Sequence, residues 1–261
     1  MNALSKNKES TGRYFDSRAP NYLEENYGET QKYPTLQIRH RHLLEMAGKG
    51  GGFALDAGCG SGALLIDISA GGRLTLGFDI APKMLGAARW AFRDGTGEEA
   101  LLSLNDLEAM PYRDDSFDLV TCAGVVEYLD DDEAALEEIS RVLRRGGTAL
   151  ISVTNASTPL WITETVLKLL GAWRQVYSSI KGGEPFPRAR VHVPSRFSWK
   201  ASRYGLREVD RVYFHFSPLP FPLDNVFMRL CREPGLRMER YSRSMWGFLG
   251  RGCILKFVND G

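Results

Sequence analysis

The 261-residue sequence lacks several features that mark special classes of protein. It has four cysteines, Cys59, Cys122, Cys231 and Cys253, and none of them forms a C-x-x-C pair. Neither a structural zinc site, nor any other metal site, nor a disulfide framework is therefore expected. Because the sequence has no apolar run of ~20 residues and no signal pattern, we expect a cytoplasmic protein with at most peripheral membrane contact. It also has no internal repeat, no low-complexity segment and no clear linker.

A strong net charge is also missing, but the charged residues are unevenly distributed. The formal net charge is +1, yet residues 94–138 contain 15 acidic residues and one basic residue. Residues 168–256 contain 17 basic and 6 acidic residues. This distribution fits an acidic cofactor-binding half and a basic substrate-binding half, and it equally fits charges on separate solvated faces.

What the sequence does contain is a glycine-rich turn with an acidic residue beside it. Residues 55–62 read L-D-A-G-C-G-S-G, between a short apolar run and a segment that is apolar at helical spacing. This pattern predicts a strand, a turn and the start of a helix. Glycines let a ligand approach the main chain, and amides at a helix N-terminus donate hydrogen bonds. Asp56 would repel a pyrophosphate but would suit the positive amino group or sulfonium of S-adenosylmethionine.

A second acidic residue ends the next predicted strand. The apolar run at residues 74–78 leads into Asp79, roughly 20 residues past the glycines, where a carboxylate can accept hydrogen bonds from ribose hydroxyls. The glycine pattern is G-x-G-x-G, so the dinucleotide fingerprint G-x-G-x-x-G is not matched. A dinucleotide reductase remains an alternative, to be tested by comparing NADH with S-adenosylhomocysteine. With both motifs in place, the chain resembles the class I S-adenosylmethionine-dependent methyltransferases.

The resemblance implies a cofactor site at three successive strand ends. Asp56, Asp79 and Asp106 would meet the amino acid, the ribose and the adenine of S-adenosylmethionine, and the amide of Leu107 would donate to a ring nitrogen. Ile80 and Met84 would line the adenine face, although core residues would look the same. The complete set of cofactor candidates is Asp56, Gly58, Cys59, Gly60, Gly62, Asp79, Ile80, Met84, Asp106, Leu107 and Ala123.

The resemblance also implies where the acceptor binds. Tyr14 and Tyr22 belong to a lead-in segment that folds over the cofactor in similar enzymes, whereas Trp161 and Phe186 lie in a later insertion; all four are substrate candidates, and packing is the alternative role. His192 resembles a histidine near the acceptor pocket of quinone and other small-molecule O-methyltransferases and is the first candidate for a general base. His215, in an aromatic strand, is the second. Glu127, where many relatives carry Glu-His, is the third.

The alternation of strand and helix patterns predicts an α/β fold. We expect a doubly wound, mainly parallel sheet of seven strands, a Rossmann-like methyltransferase fold, with an antiparallel last strand and a helical lid insertion. We expect one domain over residues 1–261, divided into cap helices (1–50), a cofactor-binding core (51–155), a lid and substrate insertion (156–205) and C-terminal strands (206–261). An apolar helix at residues 160–173 suits a lid or a membrane-interface contact.

More local expectations concern the ends of elements and which residues face outward. Residues 1–12 are expected to be frayed. The helix over residues 35–47 is expected to present Arg39, His40, Arg41 and His42 mostly to solvent. We also predict an acidic helix at 130–143 that ends at the R-R-G-G of residues 144–147, a sixth strand at 208–216, a helix at 224–231 and a last strand at 252–258.

Together these patterns predict transfer of a methyl group from S-adenosylmethionine to a small, hydrophobic acceptor, first of all at oxygen. Methylation of nitrogen or carbon on a small molecule or lipid, and binding of the cofactor without catalysis, remain alternatives. A nucleic-acid substrate is disfavoured because the N-P-P-Y type tetrad after the fourth strand and the P-C dipeptide are both missing. The expected partner is a small-molecule acceptor, and the oligomeric state is not predicted.

Overall fold

The computed structural model describes residues 5–28, 35–161, 189–219, 223 and 227–261. Within these ranges the helices are α1 (Lys6–Arg18), α2 (Tyr22–Tyr27), α3 (Thr35–Ala47), α4 (Ala63–Ala70), α5 (Pro82–Thr96), α6 (Asp132–Val142), α7 (Pro194–Ser202) and α8 (Met228–Met238). The strands are β1 (Phe53–Ala57), β2 (Leu74–Asp79), β3 (Leu101–Leu104), β4 (Phe117–Cys122), β5 (Leu143–Thr154), β6 (Leu206–Phe214) and β7 (Gly252–Asn259). Most of the predicted lid helix and Phe186 lie outside the described residues.

The seven strands form one sheet in the order β3-β2-β1-β4-β5-β7-β6. Strands β1 to β5 pair in parallel, whereas β7 pairs antiparallel with both β5 and β6. The predicted α/β fold with a mainly parallel sheet and an antiparallel last strand is confirmed. In sheets of this kind ligands bind at the carboxyl ends of the parallel strands, near the point where the strand order reverses.

The core occupies both faces of the sheet because successive residues of a strand point in opposite directions. One face is covered by α3 and α4, and its buried residues include Ile38, Leu43, Leu64, Leu119, Leu150 and Ile254. The other face is covered by α6 and α7, and its buried residues include Leu136, Ile139, Phe197, Val120, Ile151 and Leu255. The strands therefore read as nearly continuous apolar runs, as expected of a sheet buried on both sides.

Several predicted element boundaries were wrong. Helix α6 ends at Val142, and the R-R-G-G at residues 144–147 belongs to β5, because β5 pairs with β4 at Leu143 and, after an irregularity, again from Thr148. Strand β6 ends at Phe214, since the next residue, His215, has a positive φ that breaks the extended backbone. Helix α8 begins at Met228 and continues through Pro234 to Met238, beyond the predicted end.

The N-terminal segment was expected to fray, but α1 begins at Lys6 and packs against the sheet's carboxyl edge. The side chain of Ser5 caps the helix by accepting from the Lys8 amide at 3.2 Å. The Lys8 ammonium donates to Asp106 at 2.5 Å and to Glu108 at 2.7 Å, and the Asn7 side chain donates to the carbonyl of Tyr128 at 2.9 Å. Three side-chain contacts therefore hold the first turn of α1 over the ends of β3 and β4.

The expected outward face of α3 was also wrong. Of the four residues expected to face solvent, only Arg41 is exposed; His42 is 7% exposed, and His40 contacts Asp67 at 2.6 Å. The helix contacts β5, β6 and β7, so a larger part of its surface is buried than in a helix that packs on one side only. Burial lowers the pKa of His42, which is therefore a neutral core histidine at physiological pH. No helix in the described residues combines the length and apolar character needed to span a bilayer.

Candidate cofactor and acceptor site

A cavity of about 880 Å³ opens at the carboxyl ends of the parallel strands. One side of it is formed by the glycine turn after β1 and by the residues that follow β2, β3 and β4. The other side is formed by residues near the ends of β5 and β6 and by the segment before α7. Small-molecule sites in proteins usually measure ~300–1,000 Å³, so this cavity has room for a nucleoside cofactor together with part of a second ligand.

The glycine turn forms a bare stretch of main chain against the cavity. Gly58 has φ 77°, and a Cβ at this position would lie 2.3 Å from a methyl group of Val125. Gly60 has φ 53°, and a Cβ there would meet no atom within 4 Å because the position faces the open cavity. Side chains rarely adopt either φ, so glycine is required at both positions. The turn leaves the cavity free for a ligand to lie directly against the backbone.

Asp79 is fixed at the cavity wall by the backbone around it. One carboxylate oxygen accepts from the Gly60 amide at 2.9 Å, and the other accepts from the Ala81 amide at 2.9 Å. Burial raises the pKa of Asp79, while these amide donors act in the opposite direction. Each carboxylate oxygen can accept more than one hydrogen bond, so this rigid carboxylate has capacity left for a diol such as that of ribose.

Asp56 lies beneath the glycine turn rather than on the cavity wall. It is 3% exposed, and its carboxylate accepts a hydrogen bond from the Thr121 hydroxyl at 2.7 Å. Burial raises the pKa of Asp56 to about 6. A positively charged ligand group above the turn would favour the ionised form of this carboxyl. The two other cofactor candidates that do not line the cavity are Cys59 and Gly62; Gly62 instead forms the N-cap of α4.

The adenine-side candidates Ile80, Met84, Asp106 and Leu107 all line the cavity, as does the cofactor candidate Ala123. Met84 and Leu107 are buried, which suits an apolar surface for a flat ring. Asp106 also binds the Lys8 ammonium, so an adenine amino group would share this carboxylate with Lys8. Since the donors, acceptors and apolar faces occur in the order of amino acid, sugar and base, these residues fit S-adenosylmethionine.

Arg39 is a cavity residue that the prediction from sequence missed. Its guanidinium packs against Gly124 and forms a hydrogen bond with the side chain of Tyr27. Burial raises the pKa values of Asp56 and Glu127, and the positive charge of Arg39 opposes this rise. The signal was present in the sequence, because Leu36, Arg39 and Leu43 are spaced at i, i+3 and i+7 and so share one face of a helix. A cation at the wall of the cavity that the glycine turn also lines could bind a ligand carboxylate.

The substrate candidates Tyr14, Tyr22 and Trp161 line the cavity, and Phe186 lies outside the described residues. Tyr14 is 7% exposed and stacks edge-on against Phe15, with 5.2 Å between the ring centroids. Burial raises the pKa of Tyr22 to about 12, so its phenol stays neutral at physiological pH. The two tyrosines come from α1 and α2, which together close this side of the cavity.

The structure brings one of the two candidate histidines to the cavity. His215 lines the wall, and burial lowers its pKa to about 4, so the imidazole is neutral at physiological pH. His192, the first candidate, is not among the lining residues. It is 9% exposed, its Nε2 lies 3.6 Å from a carboxylate oxygen of Asp132, and its ring packs edge-on against Phe197 at 5.2 Å. These contacts turn His192 toward α6 and α7.

Glu127 also reaches the cavity wall, from the short 3₁₀ helix Val126–Tyr128 after β4. It is 7% exposed, and Oε1 accepts from the Thr154 hydroxyl at 3.1 Å. Oε2 is buried and has no hydrogen-bond partner within the described part of the chain. Burial raises the pKa of Glu127. A buried carboxyl with spare hydrogen-bonding capacity is suited to hold a polar group of a ligand.

Comparison with known proteins agrees with this geometry. Residues 55–151 match a family model described as a methyltransferase domain. The chain is 23% identical over 191 residues to a ubiquinone biosynthesis O-methyltransferase of Coxiella burnetii, covering 72% of this chain and 77% of the relative. It is 33% identical over 172 residues to a malonyl-[acyl-carrier protein] O-methyltransferase of Erwinia pyrifoliae, covering 65% of this chain and 58% of the relative.

The fold has counterparts among solved structures. The magnesium protoporphyrin IX methyltransferase of Synechocystis with bound S-adenosylhomocysteine has a TM-score of 0.64 and 18% sequence identity. The superposition covers 97% of this chain and 100% of that one. At this level of identity the likeness establishes the shared fold, whereas the reaction depends on the residues of the site.

Proposed function

We propose that this chain, which is a class I S-adenosylmethionine-dependent methyltransferase for small molecules, methylates an oxygen atom of a largely apolar acceptor. The observation that carries the proposal is the cavity of about 880 Å³ at the strand ends. Most of the cofactor candidates line one of its sides, and Val191, Phe214, His215 and Trp161 line the other. Cofactor and acceptor would therefore share one cavity.

In the proposed arrangement the strand ends hold the cofactor. Asp79 would accept from the ribose hydroxyls, Asp106 from the adenine amino group, and Asp56 would act on the positive amino group from beneath the glycine turn. Arg39 would bind the carboxylate of the methionine part, because its guanidinium lies beside Gly124 and lines the same cavity. When bound, S-adenosylmethionine supplies an electrophilic methyl group on its sulfonium.

The acceptor side supports an acceptor with an apolar body and one anionic or polar group. Val191, Phe214 and Trp161 provide apolar surface, and Arg251 lines the same side of the cavity. Oxygen is favoured as the methylated atom because both curated relatives described above are named as O-methyltransferases. An N- or C-methylated small molecule or lipid is the alternative that the same cavity would admit.

The chain's contribution to the reaction would be alignment and exclusion of water. Tyr14 and Tyr22 close the cavity from α1 and α2, and Glu127 would hold a polar group of the acceptor. His215, neutral at physiological pH because its pKa is lowered to about 4, would orient the acceptor oxygen and be only a weak proton acceptor. A hydroxyl acceptor would thus depend more on alignment than on a strong base.

The proposal extends to organisation and partners. We propose a single domain over residues 1–261, with a lid and substrate insertion at 156–205. A cytoplasmic location, peripheral contact of the insertion with a membrane and the lack of a nucleic-acid partner are parts of the same proposal. The absence of the N-P-P-Y type tetrad after β4 supports the last of these.

The test uses purified full-length protein with methyl-labelled S-adenosylmethionine. Three acceptors are offered: an alkyl-substituted catechol, a long-chain fatty acid and a long-chain amine. Label on the catechol or the acid supports the proposal, and label on the amine alone contradicts it. Calorimetry with S-adenosylhomocysteine and NADH runs in parallel. Binding of S-adenosylhomocysteine without any transfer would favour cofactor binding without catalysis, and binding of NADH alone would refute the cofactor assignment.

A further inference from the structure

His215 has a backbone conformation that is uncommon for residues other than glycine. It has φ 60° and lies directly after β6, at the cavity wall. The other non-glycine residue with positive φ in the described part of the chain is Asp115, and aspartate and histidine are among the residue types that enter this region more often than most. Such strained positions persist only where surrounding contacts hold them, and they are concentrated at functional sites.

The positive φ has a direct effect on which side chains reach the cavity. In a regular strand Phe214 and His215 would point to opposite faces of the sheet, because strand side chains alternate. In the structure both of them line the cavity. The positive φ at His215 ends the regular alternation at the end of β6. The direction in which the imidazole leaves the main chain, at the cavity wall, therefore depends on this backbone conformation.

Three contacts hold this backbone from both sides. One carboxylate oxygen of Glu239, Oε1, accepts from the His215 amide at 2.9 Å and from the Phe216 amide at 3.4 Å. On the opposite side, the Arg251 amide donates to the His215 carbonyl at 3.0 Å. Glu239 begins the 3₁₀ helix Glu239–Tyr241, which is anchored to β6 because the Tyr213 amide donates to the Ser242 carbonyl at 2.9 Å. The carboxylate is thus carried by a segment tied to the strand that it caps.

Glu239 acts on the main chain and does not itself reach the ligand space. It is not among the residues that line the cavity, and its second oxygen, Oε2, is buried with no hydrogen-bond partner within the described residues. Burying a carboxyl with one idle oxygen is unfavourable. Within the described part of the chain, this side chain therefore forms its hydrogen bonds with the backbone of His215 and Phe216.

We propose that Glu239 is a positioning residue that clamps the backbone of His215 in the left-handed conformation and so keeps the imidazole on the acceptor wall. The contact between the imidazole and a methyl acceptor rests on the proposed function. The clamp itself is a property of the folded chain, and it can be tested without any acceptor.

The first test is spectroscopic, since the chain has four histidines and their ring signals can be assigned one by one. The His215 signal is assigned with His215→Asn. In Glu239→Gln the side-chain oxygen still accepts from both amides, so the His215 ring signal is expected to stay close to its wild-type position. In Glu239→Met the acceptor is lost, and the His215 signal should shift or broaden while those of His40, His42 and His192 stay in place. An unchanged His215 signal in Glu239→Met would overturn the clamp.

The second test covers the case in which Glu239→Met does not fold. Glycine adopts a positive φ without strain, so a protein with His215→Gly does not need Glu239 to hold residue 215 in the left-handed conformation. Glu239→Met should therefore lower the urea midpoint clearly less in the His215→Gly background than in the wild type. An equal loss in both backgrounds would show that Glu239 only supports the fold in general. Failure of S-adenosylhomocysteine to bind wild-type protein would refute the proposed function but would leave both tests of the clamp standing.

Discussion

Replacing Asp56 by asparagine should stabilise the ligand-free protein. Asp56 is 3% exposed, and its pKa rises from the ordinary value of 3.8 to about 6 because burial disfavours the ionised form. A shift of about two units corresponds to ~3 kcal/mol of unfavourable free energy for the ionised carboxylate in the folded state above pH 6. Asparagine carries no charge, and its amide oxygen can still accept from Thr121.

The gain should depend on pH with a defined sign. Since the folded-state pKa of Asp56 is raised, the folded protein binds the extra proton between pH 3.8 and about 6, and wild-type stability falls as pH rises through this window. The contribution of Asp56 is fully present below pH 3.8 and lost above about 6. The free energy of unfolding of Asp56→Asn relative to wild type should therefore be higher at pH 8 than at pH 5, by roughly 1.4 kcal/mol.

Urea unfolding of both proteins at pH 5 and pH 8 measures this difference. Any fixed cost of burying the asparagine amide appears at both pH values and cancels in the comparison. A relative stability that is the same at pH 5 and pH 8 would refute the statement that Asp56 is held in a buried site with a raised pKa. The same substitution should weaken S-adenosylhomocysteine binding, because the proposed attraction to the positive amino group is lost.

Three further substitutions test other parts of the site. Gly58→Ala adds a Cβ 2.3 Å from a methyl group of Val125, at a residue whose φ is 77°. It should lower the free energy of unfolding by about 2–4 kcal/mol in urea titrations. A loss below about 0.5 kcal/mol would contradict the tight turn. Arg39→Met should weaken S-adenosylhomocysteine binding by about 10- to 100-fold in calorimetry. The control Arg41→Met, at an exposed position of the same helix, should leave binding unchanged. Equal effects of the two substitutions would refute the role of Arg39. His215→Asn should reduce methyl transfer at least about tenfold with cofactor affinity retained; a larger loss of transfer in His192→Asn would restore the first candidate from the sequence.

Much of the cofactor side could be predicted from the sequence because its determinants are local. Glycine is needed where the backbone takes a positive φ beside a ligand, and an acidic residue at a strand end is recognisable from the apolar run before it. Gly60 and Asp79, which were chosen in this way, meet in the structure through a hydrogen bond of 2.9 Å. The α/β architecture followed from the same alternation of short apolar runs and helical segments.

The acceptor side was less predictable because it depends on contacts between distant segments. His192 was ranked first from the family resemblance and His215 second as part of an aromatic strand, and neither argument fixes where the side chain lies in the folded chain. Their places were decided by Asp132 and Phe197 in one case and by the left-handed backbone in the other. Arg39 was missed because the charged residues of α3 were read as a solvent-facing group.

Residue type and spacing within a few positions were enough to predict the sheet, the glycine turn and the acidic strand ends. Three contacts depended on how the whole chain folds: Lys8 binds Asp106, Arg39 lies beside Gly124, and Glu239 holds the backbone of His215. These contacts join residues separated by 24 to 98 positions in the chain. Such pairs form when packing of the helices against the sheet brings their segments together, and no local pattern encodes that packing.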